Sequence, residues 1–464
     1  MKVQSFVEGS VRKPVLHSDP PDVPPAGGTS DAGVVSTGIV GRIYANLGKI
    51  MGGKAIAGLL SLAYMVIAIR ALGATDYGIL ILVHTYTITV GGIIEFPGWH
   101  AVVRYGAQAL AACDPERLVR LLRFTAVIEL IGGVLAVIVA AALAPLIGPH
   151  LGWSQQALNF ALPYSFAVLA TIRTTPTGYL QLIGRFDLLG VHNVVAPLVR
   201  LVGAVIALSI GAGLHGFMIA WLVAALAEWA SMWAFGLVLA RRHLAGLRLM
   251  GSVRGAVAEN PGIRWFMAAA NADITFGDLA QRLAALTVGW IMGPTAAGVF
   301  AVAQRATSVI AQPAGNLGQA TYAELARLVA AGGQGRDVRR AVGKSIGLAA
   351  VVAVPFVLLV AAFGRPLALL LGGPQFGPAG TVMIWLFVAR AILLVAPPAS
   401  AALVAMGRPS LSFGANFITS LGLLPLLALM MHLAGLAGAG AYAVVQAICA
   451  STLLAGLLWR SSAT

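Results

Sequence analysis

The sequence predicts an all-α polytopic membrane protein of about twelve transmembrane helices, in two six-helix lobes related by an internal repeat around a central cavity. Composition is the first observation behind this. Of 464 residues, 59% are hydrophobic and 10% charged, with a mean hydropathy of +0.89. A soluble domain carries roughly 25% charged residues, and no single water-soluble core could hide this much apolar surface. Patterning is the second. From Arg42 onward long apolar stretches alternate with short polar breaks. Each stretch reaches the roughly 20 residues a span requires, and none shows the period-two alternation of a barrel. The third is a duplication: Leu72-Gly-Ala-Thr-Asp-Tyr-Gly78 recurs as Met292-Gly-Pro-Thr-Ala-Ala-Gly298, 220 residues later.

The expected spans are 43–70, 77–103, 118–147, 156–183, 187–211, 216–240, 264–292, 296–325, 341–363, 378–405, 410–433 and 437–459. Several exceed the minimum, which implies tilt or extension beyond the bilayer. The 55 glycines suit close helix packing. Residues 1–40, rich in Pro, Asp, Ser and Gly, read as a disordered cytoplasmic tail without the apolar core of a signal peptide. Residues 41–245 form the expected N-lobe and 246–464 the C-lobe.

Net charge is +14, and 23 of the 30 Lys and Arg fall on one set of alternating loops. That bias places both termini in the cytoplasm and supports an even helix count. Most of the positive charge is therefore a topology marker and gives no sign of nucleic acid. Two cysteines, Cys113 and Cys449, exclude a disulfide framework, and no Cys/His spacing suits a metal. Gly48 to Ala55 approaches a phosphate-binding loop, but Ala55 stands where magnesium needs Ser or Thr and no strand precedes it. No cofactor and no enzymatic constellation is expected.

Further repeat signals occur at Gly184-Arg185 and Asn193, matched by Gly407-Arg408 and Asn416 at an offset of 223. Two halves starting on the same side form a parallel repeat. Gly73, Tyr77 and Gly78, with Gly293 and Gly298, mark equivalent turns. Pro97 and Pro313, and Pro176 and Pro398, are helix interruptions at roughly equivalent places, and such pairs point to a transporter's site or hinge.

Five arginines remain inside the spans: Arg173, Arg200, Arg282, Arg305 and Arg390. At 1.5 Å per residue, Arg282 and Arg200 lie ~16 Å below the outer turns at Gly293 and Gly211, and Arg390 ~15 Å below Gly380. Five arginines facing lipid would cost roughly 12–18 kcal/mol at about 2.5–3.5 kcal/mol each. They must face acids or a hydrated cavity. Candidate acids are Glu95, Glu129, Glu228, Asp273 and Asp278, with Asp278 and Arg282 four apart on one helix face. If all five pairs form, the charges only join helices. If positive charge is in excess, the cavity suits an anion bearing phosphate, because the guanidinium fork binds phosphate oxygens bidentately and stays charged. Asp278, Asp273 or Glu95 could then couple transport to an ion.

Leu72-Gly-Ala-Thr-Asp-Tyr-Gly78, with Leu59 to Ala71 before it and Val102-Val-Arg-Tyr-Gly106 closing the second helix, resembles the flippases of polysaccharide repeat units (the O-antigen and exopolysaccharide exporters). The two-half layout and the Gly-Arg after helices four and ten are similar. Glu95-Phe-Pro-Gly98 departs from that pattern. The resemblance covers about residues 42–460. It implies the fold of multidrug-extrusion transporters and an alternating central cavity in the bacterial inner membrane. It further implies translocation of undecaprenyl-pyrophosphate-linked oligosaccharide for lipopolysaccharide or other polysaccharide synthesis, with Arg173, Arg200, Arg282, Arg305 and Arg390 gripping the substrate. Membrane lipids, a polysaccharide polymerase and assembly proteins are the implied partners. A cation-coupled drug antiporter of the same fold would need an acidic cavity instead. A major-facilitator transporter would carry a Gly-x-x-x-Asp-Arg-x-Gly loop that is missing between Arg104 and Arg123. A glycan polymerase or ligase would need long acidic outer loops.

Overall fold

A computed structural model describes residues 32–95, 98–330, 335–405 and 408–461. For residues 32–47, 49, 268–278, 308–330 and 335–339, and for scattered positions between 341 and 409, only the backbone course is described. The chain folds as α1 (Ala32–Ile94), α2 (Trp99–Ala111), α3 (Pro115–Ile147), α4 (Gln155–Tyr164), α5 (Thr174–Leu182), α6 (Phe186–Ser209) and α7 (Gly213–His243). A short α8 (Ala256–Glu259) lies in the central linker, followed by α9 (Ile263–Ala330) and α10 (Gly335–Gly372). The last elements are α11 (Gly377–Leu393), α12 (Ala396–Ala405), α13 (Pro409–Phe417) and α14 (Leu424–Ser461). No strand occurs among the described residues, and the twelve expected spans lie largely on helix, with breaks inside 156–183 and 378–405 and with residues 96–97 of the span 77–103 not described. Most of the expected tail, residues 1–31, lies outside the described residues; α1 already begins at Ala32, before the expected boundary.

Seven segments among the described residues are each long and apolar enough to cross a membrane, including Ile50–Ile94, Pro115–Ile147 and Ser410–Arg460. Large apolar side chains remain exposed where a soluble protein would bury them. On α3, Ile131, Val134, Leu135 and Ile138 are each more than half exposed. Their i, i+3, i+4, i+7 spacing puts them on one helix face, which suits lipid.

The long helices α1 and α9 are each two spans joined at a glycine. Gly73 (φ 71°, ψ −176°) and Gly293 (φ 81°, ψ 177°) hold nearly the same left-handed conformation, which side chains rarely adopt. The chain must reverse at Gly73, because one guanidinium, that of Arg200, reaches both Tyr64 and His84. In a straight helix those two residues would be ~30 Å apart.

The repeat is a physical contact as well as a sequence pattern. Thr75 and Thr295, 220 residues apart, share a hydroxyl–hydroxyl hydrogen bond of 2.8 Å. A Cβ on Gly78 would lie 1.8 Å from the Pro294 carbonyl oxygen, and one on Gly298 would lie 2.5 Å from that of Ala74. Gly152 abuts Pro294, and its counterpart Gln375 accepts from the Ala74 N–H at 3.0 Å. Each contact has a partner with the two halves exchanged, as a two-fold axis requires. The second repeat signal holds as well: Arg185 N–H donates to the Leu180 carbonyl and Arg408 N–H to that of Leu403, both at 2.9 Å.

The paired-proline expectation divides. The first half is broken around Ile172–Arg173, ahead of Pro176, and the second at Leu394–Val395, ahead of Pro398. Helix α1 ends before Gly98, while Pro97 and Gly407 lie outside the described residues. Pro313 interrupts nothing: α9 runs helically through it, with Gly293 its one non-helical residue. Membrane helices tolerate proline where neighbouring groups take up the freed carbonyl.

Gly78→Leu should lower stability by about 1–3 kcal/mol through overpacking. Gly58→Leu, at a position with nothing within 4 Å of an added Cβ, should change it by less than about 0.5 kcal/mol. Melting followed by fluorescence size-exclusion compares the two.

Candidate functional site

Two cavities lie on either side of α9. The first, about 410 Å³, is bounded by α1, the α4–α5 break, α6, α7 and α9, and its polar lining includes Arg173, Arg200, Arg282, Glu95 and Glu228. The second, about 330 Å³, is bounded by α9, α11 to α14 and contains Arg390. Arg305 is exposed and lines neither. Three of the five arginines expected at one site therefore share a cavity and two do not. The side chains of Asp273 and Asp278 lie outside the described residues.

The helix break builds the first cavity. After α4 the chain runs through a 3-10 stretch, Ser165–Thr171, and α5 restarts at Thr174. Lipid offers no hydrogen bonds, so the freed backbone groups need internal partners. Glu129 of α3, 1% exposed, accepts from the N–H groups of Thr174 and Thr175, the second at 2.8 Å. A carboxylate suits that place because a helix start concentrates unpaired N–H donors and positive potential. Trp233 Nε1 donates to the Ile172 carbonyl at 2.8 Å, and Gly98 N–H to Thr174 Oγ1 at 3.0 Å.

Arg173 stands at the break itself. It is ion-paired with Glu228 and donates to His192 Nε2 at 2.7 Å. A guanidinium has no acceptor, so Nδ1 of His192 carries the proton and donates to Ser231 Oγ at 3.1 Å. Ser231 in turn donates to the Glu228 carbonyl at 3.1 Å. The charge of Arg173 is thus held by a closed loop of partners.

Arg200 is held differently. It donates to Tyr64 Oη at 3.3 Å and His84 Nε2 at 3.1 Å. Its guanidinium carbon lies 5.8 and 5.6 Å from the Tyr64 and Trp221 rings, within cation–π range. His84 Nδ1 then donates to Tyr164 Oη at 3.0 Å. Among the described residues no carboxylate bonds to Arg200, and its buried Nε has no hydrogen-bond partner there. Arg282 donates to the Ile88 carbonyl at 2.8 Å. Its NH1 fills the room left by Gly92, where a Cβ would come within 2.7 Å.

The arrangement puts the guanidinium groups of Arg200 and Arg282 on one cavity, where Arg173 is ion-paired with Glu228. Tyr64, Trp221, Tyr164 and His192 are functional partners the sequence did not single out. A weak signal existed, since Tyr64 and His84 flank the Gly73 turn at nearly equal distances.

A helical membrane bundle with a charged cavity between its halves is the architecture of a transporter. The solved structures it resembles share that fold. An inward-facing multidrug-resistance transporter of the MATE family in the MOP superfamily matches with a TM-score of 0.64 and 16% identity, over 89% of this chain and 95% of that one. The Vibrio cholerae MATE transporter VcmN in its bent form matches at 0.59 and 16%, over 92% and 98%. In sequence, the inner membrane protein YghQ of Escherichia coli (strain K12) is 28% identical over 327 residues, 69% of this chain and 90% of that protein. Residues 122–380, more than half the chain, match the family model of polysaccharide biosynthesis proteins, and the chain belongs to that family.

Glu228→Gln should lower the melting temperature in nanodiscs more than the double change Arg173→Met with Glu228→Met. Removing one member of a half-buried pair strands the other, at a cost of up to about 3 kcal/mol, whereas apolar replacement of both strands neither.

Proposed function

We propose that the protein is a flippase of an undecaprenyl-pyrophosphate-linked oligosaccharide, working by alternating access in the bacterial inner membrane during polysaccharide synthesis. The observation that carries this reading is Arg200 and Arg282 in one cavity, where the described hydrogen-bond partners of Arg200 are a phenol and an imidazole and none is a carboxylate. A cation held by cation–π and neutral hydrogen bonds keeps its full charge for a ligand. Phosphate oxygens fit the guanidinium fork, while the isoprenoid chain stays in lipid. Family membership in polysaccharide biosynthesis supports the substrate class, and the inner-membrane relative supports the location. The substrate moves from the cytoplasmic to the outer leaflet, with both termini cytoplasmic.

Glu95 and Glu228 in the same cavity favour a second reading, a cation-coupled drug antiporter. The two are separated by one strain. Arg200→Ala with Arg282→Ala should cut the outward movement of lipid-linked oligosaccharide by about 100-fold or more, the value of two charge-assisted contacts of about 1.5 kcal/mol or more each. The lipid should accumulate on the inner leaflet, as scored by leaflet-selective labelling. Unchanged export together with altered drug resistance would establish the antiporter instead.

Alternating access supplies its own test. Thr75 and Thr295 join the two halves through one hydrogen bond, and in the proposed cycle that junction must open. Cysteines at both positions, with Cys113 and Cys449 replaced by Ser, should form an oxidant-dependent cross-link that stops transport and is reversed by reductant.

A further inference from the structure

The second cavity differs in chemistry from the first. Beyond Asp278 the sequence contains only two acids, Glu324 and Asp337, and none after residue 337. Arg390, half-buried at the end of α11, has no acid among α11 to α14, and no described side chain pairs with it. Around it four carboxamides converge: Gln281 and Gln304 from α9, Asn416 from α13 and Gln446 from α14. No described group bonds to any of these amides, although Thr307 and Thr419 nearby spend their hydroxyls on their own helices. Tyr442 completes the wall. It is 3% exposed, and its buried hydroxyl has no hydrogen-bond partner.

A buried hydroxyl left unsatisfied is costly, and Tyr442 carries that cost here; of the amides, Gln304 and Gln446 are half-buried, while Gln281 and Asn416 are exposed and free to meet a ligand. The cavity is therefore matched to something that both donates and accepts. Carboxamides do both without carrying charge, and an aromatic wall gives a flat apolar face. Sugar rings present the same pairing, with hydroxyls that donate and accept around the rim and C–H groups on the face. Phosphate offers acceptors only and would leave the four carbonyl oxygens facing anions.

We propose that this cavity, walled by Gln281, Gln304, Arg390, Asn416, Tyr442 and Gln446, is a glycan subsite. It takes the hydroxyl-rich sugars of the transported lipid, while Arg200 and Arg282 hold the pyrophosphate across α9. This assignment rests on the flippase reading above. Leu279 and Arg282 line the first cavity while Ala280, Gln281 and Ala284 line the second. One turn of α9 thus separates a phosphate grip from a sugar grip, as a molecule carrying both groups side by side demands.

The test uses full-length protein in lipid nanodiscs and two probes. One is bare undecaprenyl pyrophosphate; the other is the lipid-linked oligosaccharide fraction extracted from the native strain. Wild type should bind the glycosylated lipid about tenfold more tightly than the bare one, the worth of one to two net hydrogen bonds. Asn416→Leu with Gln446→Leu should bind both lipids with one affinity. Tyr442→Phe should lose part of the preference, and as a near-isosteric change it guards against misfolding of the double variant. The subsite is overturned if wild type binds both lipids equally, or if the double variant, monodisperse and unchanged in melting, keeps the preference. Failure of bare undecaprenyl pyrophosphate to bind, with a glycan preference intact, would instead remove the pyrophosphate assignment.

Discussion

The structure depends on the inability of lipid to satisfy a polar group. A helix spanning a bilayer can break only where protein atoms take over its freed hydrogen bonds. In the first half that condition is met by Glu129 on the start of α5 and Trp233 on the Ile172 carbonyl. Those partners allow the chain to place Arg173 inside the bundle. The resulting recess admits Arg200 and Arg282 from α6 and α9. The second half is broken at the corresponding place, yet Ala396 stands where Arg173 does and the wall there is built of amides. Duplication thus supplied two recesses, and divergence of a few side chains gave them different chemistry.

The halves meet through small residues. Gly78 and Gly298 let backbone lie on backbone, and Thr75 bonds to its own counterpart, Thr295. Close approach at small residues is the means by which helices associate without a hydrophobic driving force. Around that close approach the halves also share buried apolar side chains, with Tyr77, Leu80 and Leu82 of α1 in one cluster with Ala297, Val299 and Phe300 of α9.

Charge is handled in three ways within one membrane domain. Arg173 is neutralised by Glu228, Arg200 is caged by aromatic and imidazole groups, and Arg390 stands in a neutral polar cavity. At the basic end of the bundle, Arg117, Arg120 and Arg123 of α3 grip the central linker through Asn260, Glu259 and the carbonyls of Leu249 and Ser252. Residues that read as topology markers thereby also tie the two halves together.

Hydropathy alone determined that this chain is a helical membrane protein, because an apolar run of span length has few other stable fates. The offsets of 220 and 223 determined that its halves are repeats, since equivalent turns require equivalent glycines. Residue type determined which arginines were out of place in a span. The sequence did not decide which of them share a cavity, because depth along a helix is countable but rotation about its axis and the path of a broken helix depend on packing. Arg390 thus shares the depth of Arg200, yet packing puts the two in different cavities. Proline by type marks Pro313 as a break, yet α9 runs through it, because a helix yields at proline only where its neighbours leave room. The amide cavity was invisible for the same reason: Gln281, Gln304, Asn416 and Gln446 come from different helices and converge only once α9 and α14 have folded back on themselves.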